Sequence, residues 1–171
     1  MKYLILCFIL LSQAFASIDN IKSFEADFTQ TITDDKNKVL TYSGHVAASK
    51  PQFATWNYFT PVRKDIYITP FMVTIVEPEI EQVIVRKIES NFNFFQMIKN
   101  AKKIKENVYE ANYKNSIFKI IQKENNIESL EYIDEFENNV KVVFKNQRQN
   151  HKIPLKIFTP EYPLDYDIIR D

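Results

Sequence analysis

The stretch Tyr42–Pro61, YSGHVAASKPQFATWNYFTP, decides how this chain is read. It holds the only glycine, Gly44, and the only tryptophan, Trp56. The run reads as two strands joined at Lys50-Pro51-Gln52. From Phe53 the side chains alternate: Ala54, Trp56 and Tyr58 share one face, and Phe53, Thr55, Asn57 and Phe59 share the other. Proline has no N–H to give a strand ladder, so Pro51 and Pro61 bracket the second strand. A lone glycine inside a strand marks a bulge or sharp bend, as in curved sheets. Trp56 on its own is equally a core tryptophan of an ordinary sheet.

Upstream, Phe24–Ile32 (FEADFTQTI) alternates cleanly. Phe24, Ala26, Phe28 and Ile32 fall on one face, and Glu25, Asp27, Thr29 and Thr31 on the other, as in a half-exposed antiparallel strand. The first sixteen residues have another purpose. Lys2 precedes an apolar run, Tyr3–Leu11, which is much shorter than the roughly 20 residues of a membrane span. Ala14-Phe15-Ala16 then supplies small residues at a cleavage site. The reading is a secretory signal peptide over residues 1–16, with one domain over 17–171. Cys7 is the only cysteine, so the mature chain has none and thiol catalysis is excluded. The exported protein relies on packing rather than disulfides.

Downstream, short alternating runs continue. Lys64–Thr69, Phe71–Val76, Ile80–Arg86, Val108–Tyr113, Ile117–Gln122, Ile127–Ile133 and Val140–Lys145 read as strands, and Leu155–Phe158 as a last short one. Thr159–Asp171 reads as an irregular tail. The period changes once. From Ser90, a plausible N-cap, Phe94, Phe95, Met97, Ile98 and Ala101 fit one face of a helix. Lys99, Lys102 and Lys103 then fall near its C-terminal end, where cations suit the helix dipole. They are either a solvated helix end or a docking patch for an acidic partner or an anionic lipid head group. The apolar face is rich in Phe and Met, which adapt to irregular guests. A helix laid over a long curved sheet covers either a solid core or a cavity.

The composition narrows the function. Basic and acidic residues balance at 22 each, so no basic field exists to draw nucleic acid. Hydrophobic residues make up 45% of the chain, and a single glycine is too few for a phosphate-cradling α/β protein. No nucleophile elbow, zinc-protease helix or paired-cysteine motif occurs. His45 and His151 lack metal-ligand spacing, and His45 reads as a strand-surface residue. Neither a metal nor a cofactor is expected, nor is an enzyme.

Phe24-Glu25-Ala26-Asp27-Phe28-Thr29-Gln30 resembles the opening of the periplasmic outer-membrane lipoprotein carrier family, LolA. Tyr42-Ser43-Gly44, Lys50-Pro51 and Trp56 resemble that family's next conserved block, and Asn93–Ile98 its helical lid segment. The resemblance implies an incomplete antiparallel β-barrel, mainly β, covered by short helices around an apolar cavity. It implies a monomeric, non-enzymatic periplasmic shuttle. Such a shuttle takes triacylated lipoproteins from an inner-membrane ATP-driven release complex and delivers them to the outer membrane, to an acceptor there if one is present. On that reading Phe24, Phe28, Ala54, Trp56, Tyr58, Phe94, Phe95, Met97 and Ile98 line the acyl-chain cavity. Lys99, Lys102 and Lys103 serve partner docking. The family's lid-latching arginine falls at Lys50, a point charge without arginine's planar fork; an exposed turn lysine is the plainer reading. The family's longer C-terminal segment is reduced to Pro160–Asp171. Two alternatives remain open: a lipid-binding or lipid-sensing half-barrel without a transport role, and an envelope protein with a filled core.

Overall fold

The computed structural model describes residues 18–88, 94–113 and 116–170. The signal peptide, Ser90 and the Lys114-Asn115 turn lie outside them. A 3-10 turn at Ile18–Asn20 leads into β1 (Ser23–Thr33), followed by β2 (Val39–Ser49), β3 (Phe53–Thr60), β4 (Lys64–Ile68), β5 (Met72–Glu77) and β6 (Gln82–Lys87). The helix α1 (Phe94–Lys99) comes next. Then follow β7 (Lys102–Lys105), β8 (Val108–Tyr113), β9 (Ser116–Lys123), β10 (Asn126–Ile133), β11 (Asn139–Gln149) and β12 (Asp167–Arg170).

All twelve strands form one open sheet, ordered β12-β6-β5-β4-β3-β2-β1-β11-β10-β9-β8-β7. Every neighbouring pair is antiparallel except β12 with β6, which is parallel. Each antiparallel step is a hairpin except β1 with β11. That pair joins the two halves through Phe28↔Phe144 and Ile32↔Val140, and it places β1 at the centre. The sheet is curled. Ile66 on β4 and Phe118 on β9 line one pocket, although six strand steps separate them. In a flat sheet six steps would be about 29 Å.

Gly44 shows how the curl is accommodated locally. The β2–β3 register shifts between Ser43 and Gly44, the bulge expected of a lone strand glycine. Gly44 also faces Phe28 across the β1–β2 pair. A Cβ there would collide with the Asn57 carbonyl oxygen and sit 2.8 Å from the Phe28 ring. Glycine is therefore required for close approach, and the Phe28 ring fills the space over it. The tight turns do without glycine. Asn37, Asn107, Asn125 and Asn150 take the left-handed conformation there, which asparagine tolerates better than most residues.

Three elements differ from expectation. Lys102 and Lys103 are not helical: α1 stops at Lys99, and Lys102–Lys105 pairs with β8 as the exposed edge strand β7. Lysine-rich edge strands resist further strand pairing, and that composition hides the strand from a search for apolar alternation. Leu155–Phe158 is a 3-10 turn, not a strand. It follows Pro154 and buries only Phe158, so it anchors rather than pairs. The tail is not wholly irregular, because Asp167–Arg170 adds to β6 in parallel, with Asp167 N–H donating to the Glu81 carbonyl at 2.8 Å.

Candidate functional site

Because β1, β2, β3, β10 and β11 run side by side, every second side chain points to the inner face of the curl. Phe24, Ala26 and Phe28 of β1 lie opposite Ala48, Val46 and Gly44 of β2; these in turn lie opposite Ala54, Trp56 and Tyr58 of β3. The aromatic rings meet edge to face. Phe28 lies 5.0 Å from both Trp56 and Tyr58, and Phe24 lies 5.2 Å from Phe144. Edge-to-face pairs of this kind add to area burial by ~0.5–1.5 kcal/mol each.

The helix closes one end of this face. Phe95 and Ile98, at 5% and 2% exposure, join the core with Ile18 and Ile21 from the N-terminal turn, while Gln96 and Lys99 face outward. Lys50, exposed in the β2–β3 turn, holds its ammonium 6.0 Å from the centre of the Phe95 ring. At that distance the contact is a cation–π interaction.

Between the inner face and α1 lies a pocket of about 260 Å³. Phe24, Ala54, Trp56, Tyr58, Phe95 and Met97 all line it. Phe28 and Ile98 stand behind the wall, in the packed core. The Phe94 side chain lies outside the described structure. Lys99, Lys102 and Lys103 are exposed and form no part of the pocket. Among the described residues the lining includes no Lys, Arg, His, Asp or Glu. Its polar members are Gln30, Gln52, Tyr58 and Tyr132. Gln30 was missing from the face read off β1, although its even number places it in line with Phe24, Ala26 and Phe28. A hydrophobic pattern skips a glutamine where parity alone includes it. Tyr132 belongs to the inner face of β10 by the same rule, since it pairs with Val140.

The Tyr58 hydroxyl donates to Gln30 Oε1 at 2.9 Å. Burial, with the phenols of Tyr132 and Tyr42 nearby, pushes the Tyr58 pKa up to about 12. Tyr58 therefore stays a neutral donor across any physiological pH.

The outer face has a different character. Glu25 Oε2 accepts from Arg148 Nη2 and lies against His151 Nε2, both at 2.7 Å. His45 bridges two carboxylates, with Nε2 3.1 Å from Glu25 and Nδ1 2.8 Å from Asp27. Asn146 Nδ2 donates to Asp27 at 2.8 Å. Burial pushes the Glu25 carboxyl upward, but the hydrogen bonds from His151 and His45 and the nearby Arg148 and His45 charges outweigh it, so Glu25 ends below its ordinary value. Asp27 is lowered by hydrogen bonds from Asn146 and His45. His45 is thus a strand-surface residue, but a bonded one. Beyond this cluster the C-terminal segment crosses the outer face, where Ile153 and Phe158 pack on Ala47 and Phe53. Among the described residues no group of three His, Cys, Asp or Glu is placed to hold a metal ion.

The family model for the outer membrane lipoprotein carrier protein LolA matches residues 19–108. The chain is 40% identical over 169 residues to the outer-membrane lipoprotein carrier protein of Campylobacter jejuni subsp. jejuni, covering 99% of each. It is 31% identical over 158 residues to that of Wolinella succinogenes, covering 92% of each. A crystal structure of a LolA superfamily protein from Nitrosomonas europaea superposes with a TM-score of 0.52 at 10% identity, over 85% of this chain and 96% of that one. That last likeness concerns the fold alone. On the family match and the two sequence relatives, the chain belongs to the outer membrane lipoprotein carrier protein LolA family.

Proposed function

We propose that this protein is a periplasmic carrier of lipoproteins, folded as one domain after a signal peptide is removed. It takes triacylated lipoproteins from an inner-membrane ATP-driven release complex and passes them on for insertion in the outer membrane, without catalysing a reaction. The acyl chains enter the pocket under α1, which acts as the lid.

The observation that carries this reading is the pocket itself: aromatic and aliphatic walls, no ionised side chain among the described residues, and a short helix as one wall. Acyl chains need such a lining. One chain burying ~14 methylenes at ~0.8 kcal/mol each is stabilised by ~11 kcal/mol, so it does not cross water unaided. The size of the pocket also informs the mechanism. At about 260 Å³ it lies below the ~300–1,000 Å³ typical of sites for drug-sized ligands. Three acyl chains therefore require it to widen. The wall best suited to move is α1, six residues long and held by side-chain packing and the Lys50–Phe95 contact rather than by strand pairing. The closed, empty form competes with the loaded one, and that competition lets the cargo leave.

The test is capture from the periplasm followed by mass spectrometry of what is bound. The carrier reading expects acylated proteins to be enriched with the parent chain and depleted with Phe95→Asp, which puts a charge into an apolar site. Phospholipid alone, or no acylated protein at all, would contradict it.

A further inference from the structure

We infer that Gln30 and Tyr58, with Tyr132 beside them, form the polar end of the pocket and receive the neutral carbonyl of an ester- or amide-linked acyl chain. The inference rests on the carrier reading and deepens it, by naming which acyl compounds the pocket prefers.

Three observations converge. First, among the described residues the lining carries no ionised group of either sign. A carboxylate or phosphate drawn into it would lose its hydration with no opposite charge in exchange. Whatever polar atoms enter must be neutral. Second, the polar lining is divided between the two ends. Gln52 belongs to the turn beside Lys50, at the α1 end. Gln30 lies six residues along β1 from Phe24, about 20 Å away at strand spacing. Trp56, Ala54, Phe24 and Phe144 form the apolar trunk between them. A chain with its carbonyl at Gln30 lays its methylenes along that trunk towards Phe95 and Met97.

Third, the Gln30–Tyr58 pair is oriented to donate. Tyr58 O–H donates to Gln30 Oε1, which fixes the amide plane and leaves Nε2 as the free end. Nε2 carries two N–H donors and has no hydrogen-bond partner among the described residues. Accepting a bond at Oε1 polarises the amide and strengthens what Nε2 can donate. A carbonyl oxygen is a pure acceptor and suits that donor. A free fatty acid, ionised at neutral pH, finds no cation at this end among the described lining residues, because the Lys50 ammonium stands at the opposite, α1 end.

The experiment is displacement of an uncharged fluorescent alkyl probe by three ligands of equal chain length: a medium-chain fatty acid, its methyl ester and the alkane. At pH 8 the parent protein should prefer the methyl ester to the ionised acid by about tenfold or more, as a missing match for a buried charge demands. Gln30→Leu and Tyr58→Phe should each weaken the ester by about three- to tenfold, the range of one hydrogen bond, without weakening the alkane. The double variant should lose little more than either single one, since the two side chains act as a unit. Thermal melts followed by circular dichroism show that the variants fold. If ester and alkane weaken together, or the ester is unaffected in folded variants, the polar end is not a carbonyl site. If the parent binds the alkane and the acid as well as the ester, the preference is refuted while the carrier reading stands. If the probe itself does not bind the parent, the carrier reading fails and this inference fails with it.

Discussion

Strand β1 shows two different surfaces on one backbone. Its inner side chains, Phe24, Ala26 and Phe28, are at most 3% exposed and belong to the hydrophobic core. Its outer ones, Glu25 and Asp27, are bound to His45, Arg148, His151 and Asn146. On the carrier reading, the inner face is where the acyl chains lie. The outer face ties β1, β2, β11 and the start of the C-terminal segment together with charge-assisted bonds. The difference teaches where this protein is free to move. The inner face is adjustable because apolar contacts have no fixed direction, whereas directional hydrogen bonds hold the back of the curl.

The comparison breaks most severely on the inner side. Phe24→Ala, at a site 1% exposed, should lower stability by ~3–5 kcal/mol, seen as a lower urea midpoint with an unchanged m-value. Gly44→Ala should cost ~1–3 kcal/mol through overpacking, because neither the Asn57 carbonyl nor the Phe28 ring has room to yield. A Gly44→Ala protein as stable as the parent would mean that the bulge relaxes and that close approach is not what the glycine serves.

On the outer side the expected effects are smaller and depend on pH. Glu25→Gln should cost about 1–2 kcal/mol at pH 7, since its bonds are charge-assisted but partly open to solvent. Glu25 and Asp27 both titrate below their ordinary values in the folded protein. Their contribution is therefore complete above the unfolded carboxylate range and is lost as pH falls from that range through the lowered folded values. Melting temperatures recorded from pH 7 down to pH 3 should drop steeply for the parent and less steeply for Glu25→Gln. Parallel curves would remove Glu25 from the account of acid stability.

The smallest effect belongs to Lys50. A cation–π contact at an exposed site is worth ~0.5–1 kcal/mol. Lys50→Leu should favour the open form by that amount and hold an alkyl probe about two- to fivefold tighter. Lys50→Arg should restore the parent value, since arginine stacks on the same ring. Equal affinity in all three would place the latch elsewhere.

Residue parity made most of the sheet legible. The ends of β8 match the alternating run Val108–Tyr113 residue for residue. The elements that escaped owe their structure to distant partners. β7 is Lys-Lys-Ile-Lys and exists because β8 pairs with it. β12 sits behind two prolines and pairs in parallel with a strand some eighty residues earlier, a pairing no local pattern announces. In the pocket, the apolar wall could be anticipated from the faces of β1 and β3. Gln30 and Tyr132 could not be picked by hydrophobicity, because their importance comes from standing at the end of an otherwise apolar trunk.

The central claim is that acyl chains lie on the inner face, against the single tryptophan of the chain. A lipopeptide with bromine on its acyl chains tests it directly, since bromine quenches a tryptophan only at close range. With saturating brominated lipopeptide, Trp56 emission should fall strongly, while the same lipopeptide without bromine should leave it bright. If the lipopeptide binds, as shown by co-elution, and the bromine leaves Trp56 unquenched, the cargo lies elsewhere and the inner-face account is wrong.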